Sequence, residues 1–374
     1  MRRLTLSEGR RLLLARTDLG LRHDDGDGAA LLDRLRMIQL DPLDPMGTNA
    51  DLVAMARLRN YPRGQVLKDG YAVGFEHFAK ERCLLHFSAF DHYARVAPNR
   101  PNFRCTQRLQ RISNSMLDAA RDALRRGPLR ASELDLGQVR AIDYHGWKST
   151  RNAGRMALEV LLRRCEAVVL GREGRDKIYG APADSAWWRK RVKPGEFAFD
   201  AWSVLERVRA SGMLSERAGI WWSSIQTRDV AHALVEGGRL ERVAINGSVY
   251  FVEPGVDDAL AHFTPSGEMR VLGPLDPLLW NRGAVRDLFG FEYLWEVYKP
   301  AHARRWGWYV MPLLLGEQLV GRLEGRVRAG TLQVDRVWKE RPFNTQALDE
   351  CLAEHAAACG CAHYERPVRF DVEA

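Results

Sequence analysis

Cysteine is scarce in this chain: six among 374 residues, at 83, 105, 165, 351, 359 and 361. Their uneven scatter is not the framework of a disulfide-stapled secreted domain, so reduced thiols in a cytoplasm are expected. No apolar run approaches the roughly 20 residues of a membrane-spanning helix. The first residues, MRRLTLSEGRRLLLART, break their apolar positions with charges and lead to no small-residue cleavage site, unlike a signal peptide. Phosphate-cradling glycine loops followed by GKS or GKT are missing, and GREG at 171–174 falls in a predicted hairpin turn. There is no nucleophile elbow. The His355, Cys359, Cys361 and His363 cluster looks metal-like, yet its two cysteines straddle a helix-ending glycine at less than ordinary zinc spacing. No metal site and no cofactor are therefore expected.

What is present is an ordinary globular composition in a chain long enough for two to four compact units. Lys and Arg number 56 against 48 acidic residues, a formal net charge of +8 that permits a polyanionic partner without requiring one. The predicted fold class is α+β: three tandem winged-helix units followed by a C-terminal β-rich domain with a closing helix. The expected boundaries are 1–104, 105–196, 197–268 and 269–374.

Helical spacing runs over 5–16 and again over 29–40, where Leu31, Leu32, Leu35 and Ile38 share a face. Pro42 biases Asp41 away from the helical region, so the second helix is expected to end near Leu40. From residue 113 the pattern reads helix (SNSMLDAARDALRRG), turn and short helix (GPLRASELD), helix (TRNAGRMALEVLLRRCE) and hairpin (EAVVLGREGRDKIYG). The same order recurs after FDAWSVLERVRASG and ends in RLERVAINGSVYFVEP, whose Asn246-Gly247 is a strong two-residue hairpin signal. Such a recurrence suggests duplicated domains. Beyond 269 the chain turns aromatic-rich and then alternates like antiparallel strands, before a helix that ends at Gly360.

The positive charge is not spread evenly. Between Arg140 and Lys193 thirteen basic residues face six acidic ones, a local net of +7 that nearly equals the whole excess. Lys148, Arg151, Arg155 and Arg175 fall on the predicted third helix or wing of the second unit, and Lys177 on the same wing. A surface that tracks a phosphate backbone would lie there. The same charges could instead form a solvated helix face. The interleaved aromatics Tyr144, Trp147, Trp187, Trp188, Trp221 and Trp222 are expected mostly in the core.

One short stretch carries chemistry. In RMIQLDPLDP, Gln39 and Asp41 flank Leu40, and residues two apart in extended chain point the same way. Both are expected to face one cleft while Leu40 anchors the junction in the core. A carboxylate beside an amide can accept a proton from water, orient that water, and stabilise a positive sugar centre. The same residues also suit a plain turn, since Asp before Pro is common there and an amide at a helix end can satisfy free carbonyls.

The stretch IQLDPLDPMGTNADLVAMARL at 38–58, with FEHFAKERCLLHFSAFDHYA at 75–94, resembles the winged-helix DNA glycosylase family typified by AlkZ and YcaQ. So do 146–180 and, most specifically, 272–326, and the likeness covers nearly the whole chain. It implies excision of bulky N-alkylated purines such as N7-alkylguanine, including those tethered in interstrand crosslinks. It assigns Gln39 and Asp41 as the catalytic pair, in the Gln-apolar-Asp form of the YcaQ branch. FEHFAKERC departs from the aromatic-Ala-His-like segment of the family, so His77 is left outside the catalytic set. An N7-alkylated guanine already carries positive charge and leaves as a neutral base, so a monofunctional glycosylase is expected. Its partner would be double-stranded DNA carrying alkylated bases, bound by a monomer in the cytoplasm at the nucleoid. The competing reading is a non-catalytic winged-helix DNA-binding protein, either a regulator or a lesion-binding resistance factor.

Overall fold

The structure, a computed structural model, describes the chain except for residues 25, 80, 98–111, 143–147, 175, 192–197, 218–226 and 373–374. Two compact units emerge, one made of Met1–Val66 with Asp200–Ala374, the other of Leu67–Phe199. The first expected segment is thus divided, and its opening part joins the third and C-terminal segments.

In the larger unit the helix Leu6–Arg16 starts where predicted, because Thr5 and Glu8 form a reciprocal capping box. The next helix, Gly28–Leu35, stops five residues earlier than expected. Arg36 takes a left-handed conformation (φ 64°) and Met37–Gln39 is a short strand. Helical spacing from Leu31 and Leu35 runs on to Ile38 by coincidence, since buried strand residues continue the apolar pattern. A helix Asn49–Met55 follows, capped by Thr48 and Asp51.

Residues 199–252 contribute the helix Phe199–Ser211, the short strand Leu214–Ser215, the helix Thr227–Glu236 and the hairpin Glu241–Ile245 with Ser248–Val252. Asn246 and Gly247 make its turn with φ values of 45° and 78°, the left-handed pair that a two-residue turn of this kind requires. Leu214–Ser215 pairs with the hairpin's second strand, while Arg2–Leu4 from the chain start pairs in parallel with its first. The core beneath joins Leu12 and Leu13 to Ile245, Val285 and Leu288.

The C-terminal sheet orders Met269–Val271, Val310–Leu315, Gln318–Arg328, Thr331–Lys339 and His363–Glu365, with Asp371–Val372 also pairing to Thr331–Lys339. The helix Thr345–Ala358 packs Leu348 and Leu352 against Met311, Leu313, Leu323 and Val337, and Gly360 just after it has φ 69°. Arg57 and Asp276, both wholly buried, make a two-bond ion pair at 2.7 and 3.0 Å that joins the first helices to the turn before this sheet's second strand.

The smaller unit holds the hairpin Gly74–Phe78 with Arg82–His86 and the helices Phe90–Val96, Asn114–Arg126 and Ala153–Arg163. Where a second helix was expected, the chain makes a strand at Leu129–Arg130 and one 3-10 turn at Ala131–Glu133. It then runs into the paired strands Gln138–Ile142 and Lys148–Asn152. The third helix therefore begins only at Ala153, with Asn152 capping it through a 2.7 Å bond from the Arg155 N–H. Gly154 is required there, because a Cβ would sit 2.0 Å from the Leu134 carbonyl oxygen. The predicted hairpin closes the unit as Val168–Glu173 with Asp176–Gly180, and Leu129–Arg130 pairs to its second strand.

Candidate active site

Gln39 ends the Met37–Gln39 strand and is buried at 6% exposure. Its carbonyl accepts a 2.8 Å bond from Asn49 Nδ2, and Asn49 Oδ1 accepts from the Leu275 N–H at 2.9 Å. Asn49 is wholly buried, so it pins the motif to the 273–276 turn. Gly273 permits this approach, since a Cβ there would lie 2.5 Å from Asn49 Oδ1. The Gln39 side-chain Oε1 is buried and accepts no hydrogen bond among the described residues. A buried acceptor without a donor costs about 1–3 kcal/mol.

Asp41 follows just outside the strand, half-buried, and its Oδ1 accepts the Leu43 N–H at 2.9 Å. That bond closes a local turn around Pro42 and leaves the second carboxylate oxygen for other partners. Burial pushes the Asp41 carboxyl above its ordinary value, with the Leu43 N–H pulling the other way. Leu40 is half-buried rather than set in the core. The junction is anchored instead by its neighbours. Pro45 O accepts from Val327 N at 2.7 Å, and Met46 O accepts from His355 Nε2 at 2.7 Å.

This anchoring accounts for the metal-like cluster near the C-terminal helix. His355 bonds to Met46 O, Cys359 Sγ lies 3.5 Å from the same oxygen, and His363 Nε2 is 3.2 Å from Thr331 Oγ1. His355 is thus a buried tether of the motif loop.

Tyr309 is a neighbour that the sequence did not single out. It is buried at 1% exposure and packs in one cluster with Met46 and Leu52. Burial first, then the charge of Asp41, push its phenol well above the ordinary value, so it stays protonated and can donate. Its hydroxyl has no partner among the described residues. Asn49 was also missed. Asn49 ties Gln39, ten residues away, to Leu275, 226 residues away, and no local spacing marks that link.

The residues expected at the DNA face separate by structure. Lys148 and Arg151 lie on the strand Lys148–Asn152, not on a helix. Arg155 stands near the start of its helix with the side chain 64% exposed, 4.0 Å from Asp176. Arg175 lies outside the described residues. Lys177 faces inward: its Nζ is 3.0 Å from Glu159 and 3.2 Å from Glu76, with 16% of the side chain exposed. Glu76 also binds Arg172, Arg82 at 3.0 Å and the Tyr71 hydroxyl at 2.7 Å. Burial pushes the Glu76 carboxyl up, but Lys177, Arg172 and Arg82 overcome it and hold it at about 2. Two carboxylates that need cations thus remove Lys177 from the charges offered to solvent.

His77 belongs to the same unit and is a core residue. Its Nε2 donates to the Arg163 carbonyl at 3.1 Å, its ring packs 4.5 Å from that of Tyr93, and burial pushes its imidazole down to about 4. Trp187 is core as expected, donating from Nε1 to Gly74 O at 2.8 Å, while Trp188 is half-buried under the Arg191 guanidinium. Tyr144, Trp147, Trp221 and Trp222 lie outside the described residues.

The family of AlkZ-like DNA glycosylases matches residues 32–358 of the chain. Among solved structures, the Streptomyces sahachiroi DNA glycosylase AlkZ is similar with a TM-score of 0.64. The identity is 16%, over 98% of this chain and 100% of that one, so that likeness is one of fold. No helix among the described residues is long and apolar enough to cross a membrane.

Proposed function

Because this chain belongs to the AlkZ-like DNA glycosylase family, we propose that it is a monofunctional repair enzyme hydrolysing the N-glycosidic bond of bulky N-alkylated purines. N7-alkylguanine is the substrate class, including guanines tethered in interstrand crosslinks. The observation that carries this reading is the pair at the motif: a half-buried Asp41 with one oxygen committed to Leu43, beside a buried Gln39 whose Oε1 is unclaimed among the described residues.

The chemistry needs little more. The alkylated guanine is cationic, so the C1′–N9 bond breaks with its electron pair flowing into the purine ring, which leaves neutral. Positive charge develops on the sugar, and the Asp41 carboxylate stabilises it at short range. Water then bonds to C1′ and passes its proton to Asp41, while Gln39 Oε1 accepts the other O–H and fixes the water's orientation. Burial raises the basicity of Asp41, which improves it as a proton acceptor near neutral pH.

Each of the segments 105–196 and 197–268 is proposed to contact DNA by itself, read as a winged helix within the four-segment division. Each carries a helix, a short strand, a second helix and a hairpin whose later strand pairs back to the short one, and that shared order supports the reading. Lys148, Arg151, Arg155 and Arg175 are the proposed phosphate contacts, and Lys177 is not among them. The enzyme would act as a monomer in the cytoplasm on nucleoid DNA.

The test is direct. Duplexes bearing N7-methylguanine or a guanine–guanine crosslink are incubated with the protein, and alkaline cleavage reveals abasic sites. Lesion-dependent cleavage that disappears in Asp41→Asn is the expected result. Intact lesions after long incubation at high enzyme would sink the proposal.

A further inference from the structure

A cleft of about 490 Å³ opens where the segment 301–308 meets the strands Gln318–Arg328 and Thr331–Lys339, and its walls include Arg304, Arg305, Trp308, Glu324, Arg326 and Arg336. The volume suits a small ligand, for which clefts of roughly 300–1,000 Å³ are usual. Such clefts are mostly apolar, whereas this one is walled by guanidiniums, so its ligand is expected to carry negative charge.

The arginines keep donors free for it. Arg326 gives Nε and Nη2 to a single oxygen of Asp335, at 2.9 and 2.6 Å, and Arg336 does the same to Asp371, at 3.1 and 2.9 Å. Arg304 donates from Nε to Lys299 O at 2.9 Å, and its two terminal nitrogens have no partner among the described residues. Glu324, Asp335 and Asp371 offset three of the four positive charges, and Glu292 stands 3.7 Å from Arg305 on the surface. The cleft therefore offers an anion directed N–H groups more than net charge. That suits one phosphate, not a run of them.

Its two indoles differ. Trp306 is buried, with Arg322 3.8 Å and Arg305 4.8 Å from its ring and the Trp338 ring against it edge to face. Trp308 is 38% exposed, and its one ring contact among the described residues is with Tyr309, tilted, at 5.9 Å. Yet its main chain is fixed. Glu324 Oε1 accepts the N–H groups of Trp308 at 2.7 Å and of Tyr309 at 3.0 Å. Gly307 makes room for that carboxylate, since a Cβ would lie 2.3 Å from Glu324 Oε2. An open indole on a fixed backbone, beside free guanidinium N–H groups, is the chemistry that takes a nucleobase together with its phosphate.

We propose that this cleft binds an unpaired nucleotide of a DNA strand, its base stacked on Trp308 and its phosphate held among Arg304, Arg326 and Arg336. A base inside a duplex has both faces covered by its neighbours, so only an unpaired one can use the indole. The strand that supplies Glu324 and Arg326 also grips the motif loop, for Val327 donates its N–H to Pro45 O at 2.7 Å and a Cβ on Gly325 would lie 3.0 Å from Met46 Sδ. The choice of a DNA strand rests on the glycosylase reading above.

The probe is a fluorescein-labelled pentathymidylate, compared by anisotropy with an undamaged blunt duplex. Trp308→Leu keeps the N–H bond to Glu324 and removes the indole. It should raise the single-strand Kd at least about fivefold, as for one lost base–aromatic stack, and leave the duplex Kd and the melting temperature unchanged. Arg304→Gln with Arg326→Gln should flatten the single-strand salt slope by about 0.7, the share of one phosphate. An intact protein gives a second readout. With fluorotryptophan incorporated, the Trp308 resonance, identified by its loss in Trp308→Phe, should shift on adding pentathymidylate and stay in place with the duplex. An unmoved resonance, an unchanged single-strand Kd in Trp308→Leu, or equal weakening of both DNAs overturns the proposal. A response to thymidine monophosphate as tight as to the strand overturns the strand assignment in favour of a free nucleotide. A shifted resonance in a protein that excises no alkylguanine upholds the cleft and strikes the glycosylase reading instead.

Discussion

In the proposed mechanism Asp41 is placed where catalysis and stability pull in opposite directions. A carboxyl raised by burial favours its protonated form in the native state, so ionising it costs the native state more than the unfolded chain. That penalty is absent at low pH, grows as the pH rises past the ordinary value of 3.8, and is complete once the pH exceeds the folded pKa. Asp41→Asn keeps the Leu43 bond and removes the charge, so it should melt higher than the parent at pH 7 in calorimetry. The same change should lower excision by roughly two orders of magnitude or more, the usual range for losing a general base or electrostatic stabiliser. Gln39→Ala should cost less, since orienting water is a smaller task than accepting its proton. In the parent, the rate should climb tenfold per pH unit on the acid side and level off at an inflection above 3.8. An asparagine variant that excises at the parent rate would reduce Asp41 to a turn residue. Gln39 and Asp41 could be proposed from the sequence because the motif is local. Asn49 could not, because it grips Gln39 on one side and the distant Leu275 on the other, which no spacing records.

Elements whose ends are set by caps or turn chemistry were read well: Leu6–Arg16 by its capping box, and Glu241–Ile245 with Ser248–Val252 by Asn246-Gly247. Elements decided by burial were not. Met37–Gln39 is apolar and follows a helix in phase, so periodicity alone extends the helix over it, and only the left-handed Arg36 breaks it. Lys177 failed for a related reason. A hairpin position shows that a lysine is present but not whether its face carries buried acids. The Glu76 network makes that difference measurable. Glu76→Gln leaves Arg172, Arg82 and Lys177 crowded around a neutral buried group, and should destabilise Leu67–Phe199 by about 3–5 kcal/mol, as for other buried pairs that lose one partner. Because the Glu76 carboxyl is held at about 2, its contribution is complete above the ordinary value of 4.5 and is lost as the pH falls toward 2. The parent should therefore lose stability over that acid window more steeply than Glu76→Gln in urea titrations. Equal acid slopes would show that the network is not what holds this unit at neutral pH.

For the whole molecule, the raw charge count overstates what DNA can use. Of the thirteen cations between Arg140 and Lys193, Arg172 and Lys177 serve Glu76, and Arg191 pairs with Asp91 at 2.8 Å. Such charges are already neutralised and release no counterions from DNA on binding. Exposed ones such as Arg155 can. The slope of log K against log salt counts only the second kind, at about 0.9 per phosphate neutralised. The double variant Lys148→Ala with Arg155→Ala should thus flatten the slope by about 1.8 and weaken binding on undamaged and lesion duplexes alike, since phosphate contacts carry no sequence or lesion information. Lys177→Ala should leave the slope where it is and lower the melting temperature, because it removes a cation from the buried Glu76 and the half-buried Glu159. The comparison is sharper than either variant alone. Both remove positive charge from the same unit, so a long-range effect of net charge would move both slopes, whereas direct phosphate contact moves only the first. Fluorescence anisotropy across a salt series reads the outcome, and a slope that changes for Lys177→Ala but not for the double variant would relocate the DNA face to the Asp176–Gly180 strand.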